Sequence, residues 1–509
     1  MTGPPIVWSI AGTDSGGGAG LAADLRAAEA FGVHLCPVVA AVTAQNSRAV
    51  TRIEPLPVAL IEAQLAALAA DMPPRAVKTG LLGGVAQVRL VACWIDRLRE
   101  RFGAVALVVD PVLASSTGAA FADEATRAAY RELLLPRATL VTPNRSEAAQ
   151  LAGGAGDAPA LARALRALGA QAACITGGDA DEALALDWID TEHASGWLAL
   201  PRVATRHTHG TGCTFATGAA AALALGFVAA DALVLAKMAT AGALRGARSA
   251  GAGAGPAIAR AGFGNDPTVL PHLSFGTQPD FAPARPRATE RIDLYAIVDS
   301  AERVSRVLAA GVRTVQLRIK APADSASLRE AVRASVAACR TAGARLFVND
   351  HWRLAIALGA HGVHLGQQDL AALDEEARRA VRDSGLLLGV SSHSLWELAR
   401  AKGFAPSYIA CGPVWPTTTK EMPWRPQGLD NLAWWCAMAG APVVAIGGIL
   451  TPGQVAAAAS CGADGVCLVR GLGDDPALTI PALRAALDAG RAAPTASVPS
   501  LPHPSLSPE

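Results

Sequence analysis

Residues 345–365 read RLFVNDHWRLAIALGAHGVHL. A short apolar run, Arg345–Val348, predicts a strand. A helical stretch follows, and a second apolar run, Gly362–Leu365, predicts the next strand. Strand, crossover helix, strand is the mark of a parallel pair, since antiparallel neighbours can be joined by a tight turn. The pattern repeats on both sides. Asp293–Val298, Thr314–Ile319, Leu386–Val390, Tyr408–Cys411, Val443–Ile446 and Gly465–Val469 bring the count to eight strands, each with a helical stretch behind it. Eight such units across residues 291–490 predict a (β/α)8 TIM barrel.

The first part of the chain alternates in the same way. Ile6–Ile10, Pro37–Val42, Ala76–Lys78, Val105–Val109, Thr139–Val141 and Ala172–Ile175 predict six strands between Ala-rich helices. This pattern predicts an α/β/α domain over residues 1–264, with a mostly parallel sheet covered on both faces. Residues 265–290 are rich in Gly and Pro and aperiodic, and read as a linker. Residues 491–509 are rich in Pro and Ser and read as a disordered tail.

The formal net charge of 509 residues is +1, with no basic stripe, which argues against nucleic acid or an anionic membrane as partner. Nine cysteines stand singly, which predicts reduced thiols in the cytoplasm and neither a disulfide scaffold nor a zinc site. The opening residues, with Pro4 and Pro5 and no basic run, do not read as a signal peptide. The longest apolar run, Gly218–Ala230, is too short to span a bilayer and predicts a buried helix.

Two glycine-rich elements in the first domain point to phosphate chemistry. Ala11-Gly-Thr-Asp-Ser-Gly-Gly-Gly-Ala-Gly20 follows the first strand. It contains a lone G-x-G-x-x-A, but no acidic residue follows at the ribose-binding distance and no Gly-Lys-Ser/Thr is present, so neither NAD nor a P-loop is expected. His209-Gly-Thr-Gly-Cys-Thr214 opens an Ala-rich helix, whose free N–H groups and positive dipole end suit a phosphoryl group. Cys213 stands in its first turn, where a lowered thiol pKa is expected. Gln45, Asp110, Asn144 and Glu147 fall at predicted strand ends, where parallel sheets gather ligands. Acidic groups beside a phosphate cradle imply Mg2+.

AGTDSGGGAG, AQN, DPV, TPNxxE and HGTGCT, in that order, resemble the hydroxymethylpyrimidine/phosphomethylpyrimidine kinases of the ribokinase-like superfamily. The resemblance implies Asp24 and Gln45 near a pyrimidine, and Gly210, Thr211 and Gly212 with Cys213 as an anion hole. It implies Cys213 as catalytic base, and Asp110, Asn144 and Glu147 around Mg2+ and ATP. Thr176-Gly-Gly-Asp179 stands where such kinases have Lys-Gly-Gly-His.

In the second domain polar residues again close the strands. Gln316, Arg318 and Lys320 follow the second strand, and Asn349 and Asp350 the third. His364 and Asp369 belong to the fourth and Ser391 to the fifth. Thr417, Thr418, Thr419 and Lys420 follow the sixth, and Gly447 and Gly448 the seventh. In a barrel all of these converge on one face. Asp350 and Asp369 suit one hard cation, and with Arg318, Lys320 and Lys420 they suit a diphosphate. The threonines and the Gly447-Gly448 turn suit a second, smaller phosphate.

QLRIK, VND, GVHLGQQD, LGVSSH, PTTTK, PQGL and VAIGGI resemble thiamine-phosphate synthase. That resemblance implies that Gln316, Arg318, Lys320, Asn349, Ser391 and Lys420 hold a pyrimidine diphosphate, whose diphosphate leaves with Lys420 assisting. Thr417–Thr419, Gly447 and Gly448 would hold the phosphate of a thiazole whose nitrogen captures the pyrimidine carbon. Arg470 stands where relatives carry a Ser. The expectation is a bifunctional cytoplasmic enzyme of thiamine biosynthesis, a homo-oligomer using ATP, Mg2+ and small-molecule substrates. The alternative is a pyridoxal-type kinase joined to a non-catalytic or thiazole-tautomer-type barrel.

Overall fold

A computed structural model describes residues 3–114, 121–178, 183–282, 291–418 and 423–506. The chain divides into two units, with the boundary between Pro279 and Asp280.

The first unit is built on ten strands: β1 Ile6–Gly12, β2 His34–Gln45, β3 Val50–Pro55, β4 Ala76–Thr79, β5 Ala106–Val109, β6 Leu140–Val141, β7 Ala173–Ile175, β8 Leu184–Asp190, β9 Ser195–Pro201 and β10 His272–Leu273. Their order is β10-β9-β8-β7-β6-β5-β4-β1-β2-β3. The six strands from β7 to β2 pair in parallel and are the six expected from the alternation. The other four pair antiparallel at the two edges. Two of them lack a buried-strand signature: β3 (VTRIEP) shows no buried residue, and β8 carries Asp187 amid its apolar residues, whereas β9 holds the apolar run Trp197–Leu200 that the reading passed over. β10 corrects the linker assignment, since His272–Leu273 hydrogen-bonds to β9 and completes this sheet.

The Ala-rich run Gly218–Ala230 is largely buried but is not one helix: Thr211–Ala224 ends before Gly226, whose φ is positive, and a second helix, Ala229–Arg245, begins at its far end. Small side chains let neighbours approach closely: a Cβ at Gly218 would stand 3.2 Å from the Phe31 ring and 3.4 Å from the Ala236 backbone.

The second unit is a closed parallel barrel in chain order: β11 Asp293–Val298, β12 Thr314–Leu317, β13 Arg345–Asn349, β14 Gly362–Leu365, β15 Leu387–Ser392, β16 Tyr408–Cys411, β17 Val443–Ala445 and β18 Gly465–Leu468, with β18 paired to β11. Glycine opposite aromatic residues fills its interior. A Cβ at Gly362 would lie 2.5 Å from the Phe347 ring, and one at Gly389 2.1 Å from the Tyr408 ring.

The tail is a second correction. After the helix Pro476–Ala492 the chain stays on the barrel: Ala496 N donates to Ser460 O, and His503 N to Asn431 Oδ1. Ser505 and Leu506 are buried. Composition alone misses this because the extended run is held by polar partners on the barrel and carries no periodic core face of its own.

The packing at Gly389 yields a prediction. Gly389→Ala should destabilise the barrel by about 1–3 kcal/mol, the usual scale of overpacking, in a denaturant titration followed by tryptophan fluorescence. An unchanged transition would contradict the packing described.

Candidate active sites

In the first unit the carboxyl ends of β1, β4, β5 and β6 open into a cleft of about 410 Å³. Asp14 follows β1, Gly80 follows β4, Asp110 follows β5 and Thr142 follows β6, and all four line it. Asp14 organises the glycine-rich loop by accepting from the N–H groups of Gly16, Gly18 and Ala19. Its second role is to hold His209, whose Nε2 lies 2.9 Å from Asp14 Oδ2 and 3.3 Å from Gln45 Nε2. Burial would raise the Asp14 pKa, but His209 and the three N–H groups hold it below the ordinary value. Gln45 lines the cleft beside His209.

The helix Thr211–Ala224 begins at Gly210, whose φ of +84° is readily open to glycine. A Cβ there would stand 2.1 Å from Gly18 O, so the two glycine-rich loops touch. Gly212 and Cys213 occupy the second and third helical positions, where N–H groups have no carbonyl in their own helix. Together with Gly210 and Thr211 they line the cleft. The Cys213 thiol departs from expectation. Burial pushes it up to about 12, while Lys78 and the Gly20 N–H pull it down. The helix terminus does not by itself make a thiolate here.

Asp24 requires a correction. It is fully buried and is not among the residues that line the cleft. Its carboxylate accepts from Ser9 Oγ (2.6 Å) and Thr217 Oγ1 (2.8 Å), and lies 3.1 Å from Lys78 Nζ through both oxygens. Lys78 is fully buried and does line the cleft. Burial works against its charge, but Asp24, Cys213 and Asp110 outweigh it and raise its pKa. Leaving either charge of such a pair alone costs roughly 3–5 kcal/mol. Asp24 therefore acts through Lys78.

Asp110 Oδ2 lies 3.6 Å from Lys78 Nζ and has no hydrogen-bond partner among the described residues. Burial pushes its carboxyl up to about 6, against the pull of Lys78. An orphaned buried carboxylate oxygen in a phosphate cleft fits a divalent cation. Glu147 lines the same cleft but is committed to the backbone: Oε1 accepts from Leu113 N and Oε2 from Asn144 N. Asn144 caps the helix Arg145–Ala152 by accepting from Glu147 N. Both residues are first of all the capping box that shapes the loop after β6. Lys237 and Asp187, paired at 2.6 Å, also line the cleft, and Asp187 Oδ1 accepts from Gly177 N. Asp179 lies outside the described residues.

Sequence reading passed over Lys78, His209, Asp187 and Lys237 as site residues. The available signal was a charged residue inside an otherwise apolar element: Lys78 in Ala76–Thr79, Asp187 in LALDWID and Lys237 in the helix Ala229–Arg245.

In the second unit the expected residues that are described stand at or just beyond the carboxyl ends of the barrel strands. Gln316 is buried and donates from Nε2 to Tyr295 Oη at 3.1 Å. Tyr295 Oη lies 2.8 Å from Tyr408 Oη, which lies 2.8 Å from His364 Nδ1. His364 Nε2 meets Ser391 Oγ at 3.0 Å. Burial, with Arg318 and His393 adding to it, pushes His364 down to about 4, so the ring is neutral near pH 7. A continuous line of neutral groups inside the barrel thus joins Gln316 on β12 to Ser391 on β15. Neither tyrosine was among the expected site residues.

Asn349 ends β13 and is buried, and Asp350 follows in the left-handed region with φ of +63°. Asp350 stands beside Asp369, which accepts from Gly366 N at the start of the helix Gln367–Ala372. Burial and the adjoining Asp369 raise the Asp350 carboxyl well above the usual range, against the pull of Arg318. Two neighbouring carboxylates near an arginine fit one divalent cation. Lys320 is exposed, two residues beyond Arg318. Gly447 and Gly448 both have positive φ, and a Cβ would lie 2.6 Å from Pro413 Cα or from Trp415 O, respectively. Their turn therefore lies against the loop that leads to Thr417 and Thr418. Arg470 Nη1 donates to Thr418 Oγ1 at 3.0 Å, so the departing residue reaches this loop. Thr419 and Lys420 lie outside the described residues.

The comparisons with known proteins divide at the same place. The phosphomethylpyrimidine kinase family model matches residues 14–258, and the thiamine monophosphate synthase model matches residues 294–472. A hydroxymethylpyrimidine/phosphomethylpyrimidine kinase of Synechococcus elongatus is 43% identical, covering 50% of this chain and 96% of its own. A thiamine-phosphate synthase of Rhizobium etli is 47% identical, covering 36% of this chain and 90% of its own. A probable thiamine biosynthetic bifunctional enzyme of Oryza sativa, described as chloroplastic, is 34% identical, covering 93% of this chain and 87% of its own. With one relative matching across both units in the same order, the chain belongs to the family of thiamine biosynthetic bifunctional enzymes, a phosphomethylpyrimidine kinase joined to a thiamine monophosphate synthase.

Proposed function

We propose that the first unit phosphorylates 4-amino-5-hydroxymethyl-2-methylpyrimidine and then its monophosphate with ATP, and that the barrel consumes the resulting diphosphate. There it is joined to 4-methyl-5-(2-phosphooxyethyl)thiazole, giving thiamine phosphate and diphosphate. The observation that carries this reading is the pairing of two phosphate-handling sites in one chain, the product of the first being the substrate of the second. The match to the Synechococcus elongatus kinase and the Oryza sativa bifunctional enzyme favours this over a pyridoxal kinase joined to a non-catalytic barrel. Nine unpaired thiols suit a reducing compartment such as the cytoplasm.

In the kinase cleft Gln45, beside His209, orients the pyrimidine. Gly210, Thr211, Gly212 and Cys213 present backbone N–H groups to the phosphoryl group in transfer. Asp110 offers Oδ2 to Mg2+, and Asn144 and Glu147 hold the neighbouring loop in shape around the nucleotide. An ion held there would supply positive charge to the phosphates. Cys213 receives the hydroxyl proton from its deprotonated form. That form is a minor state because burial raises the thiol pKa. Lys78 is its counter-charge, which gives the buried Asp24–Lys78 pair a role in the chemistry.

In the barrel the bond from the pyrimidine methylene carbon to the diphosphate oxygen breaks, and the thiazole nitrogen bonds to that carbon. Gln316 and Ser391 hold the pyrimidine. Arg318, Lys320, Asn349 and Lys420 meet the diphosphate. Thr417, Thr418, Thr419, Gly447 and Gly448 take the thiazole phosphate. Asp350 and Asp369 would hold Mg2+, which supplies positive charge to the leaving group.

Two experiments test these roles. Cys213→Ala should lower pyrimidine phosphorylation by ~10²-fold or more, the scale of a lost general base, while synthase turnover on supplied pyrimidine diphosphate is retained. A fully active kinase would remove Cys213 from the proton path. For the barrel, a Mg2+ titration of synthase turnover should show Asp350→Asn and Asp369→Asn each needing more metal, with kinase activity intact. Wild-type metal dependence in both variants would remove the pair from the metal site.

A further inference from the structure

We propose that the C-terminal tail is a positioning element of the synthase site, in which His503, acting through Gln427, fixes the end of β15 that carries Ser391. The inference rests on reading the barrel as a thiamine-phosphate synthase.

The tail meets the barrel through a small set of directed bonds. Asn431 is fully buried and treats the backbone of His503 as a strand partner would: Oδ1 accepts from His503 N at 2.8 Å, and Nδ2 donates to His503 O at 3.0 Å. The His503 ring reaches Gln427 O with Nε2 at 2.9 Å. A carbonyl only accepts, so Nε2 carries the proton and donates. Ser505 O accepts from Arg425 N at 2.8 Å. Pro502 and Pro504 flank His503. Each restricts the backbone around it toward extended geometry, so less chain entropy is lost when the tail is laid down.

The segment it grips, Arg425 to Asn431, holds the wall of the site. Gln427 is fully buried, and its Nε2 donates to His393 O at 2.6 Å. Its Oε1 accepts from Asn431 Nδ2 at 2.8 Å. His393 is fixed in turn by Glu397, whose Oε2 accepts from His393 N and lies 2.7 Å from Nδ1. Two residues back, Ser391 O accepts from Gln367 Nε2, and Ser391 Oγ meets His364. A line of hydrogen bonds and short backbone steps therefore runs from His503 through Gln427 and His393 to Ser391. From there it passes through His364 and the two tyrosines to Gln316. Moving a substrate contact by about 1 Å can cost on the order of 10²-fold in rate, so a clamp on this line acts on catalysis without touching substrate.

The test compares wild type, His503→Ala, His503→Gln and a chain ending at Thr495, all otherwise full length. His503→Ala and the truncation should raise KM for the pyrimidine diphosphate by about tenfold and lower synthase kcat. The kinase rate should stay within about twofold. His503→Gln, whose amide can donate to the same carbonyl, should recover most of the loss. Hydrogen exchange should speed up in peptides covering 391–394 and 425–431 for His503→Ala and not for His503→Gln. Unchanged exchange and kinetics in His503→Ala would overturn the proposal. So would a loss of activity that only follows the folded fraction, with His503→Gln no better. A wild-type enzyme that forms no thiamine phosphate would sink the synthase reading instead, and the exchange data would still decide whether the clamp exists.

Discussion

Two parallel strands can be neighbours only if the chain crosses back outside the sheet between them, so every strand of the set ends at the same edge. Both units obey this constraint, and both sites follow from it. In the first unit Asp14, Gly80, Asp110 and Thr142 leave four different strands and line one cleft. In the barrel Gln316, Asn349, His364 and Ser391 come from consecutive strands, and two of them are joined to one another through the interior. Residues far apart in sequence thus need only stand at a strand end to become neighbours.

The two sites solve the cost of burying polar groups differently. The kinase cleft uses charge: Lys78 sits between Asp24 and Asp110 and offsets the burial of both carboxylates. That arrangement also supplies the positive charge nearest the mechanism's thiol. The barrel uses neutral hydrogen bonds, with His364 kept uncharged by burial and two of the chain's three tyrosines placed between it and Gln316. Space for the Tyr408 ring comes from Gly389, and space for the neighbouring Phe347 ring from Gly362 on the adjacent strand.

Much of this was legible beforehand, and the failures have physical reasons. The six central strands and the eight barrel strands announce themselves because both faces are covered and the runs are continuously apolar. Of the antiparallel edge strands, β3 and β8 are partly exposed and mixed in character, so no period marks them. Cys213 was placed correctly at a helix start, but its environment is tertiary: burial around it outweighs the helix end. Asp24 shows the same limit, because its position in a helix after the glycine-rich loop says nothing of Lys78, which arrives from β4. The tail was misread because proline and serine content describes the cost of ordering a segment but not the partners, here Asn431 and Gln427, that offset it.

The central claim is that one chain carries two consecutive reactions at two separate sites. It is tested most directly by supplying hydroxymethylpyrimidine, ATP, Mg2+ and thiazole phosphate in one tube and measuring thiamine phosphate. Wild type should form it, Cys213→Ala alone and Asp350→Asn alone should form little, and an equimolar mixture of the two variants should recover it, since each supplies the site the other lacks. Failure of the wild type to form thiamine phosphate, or failure of the mixture to exceed either variant, would contradict the account.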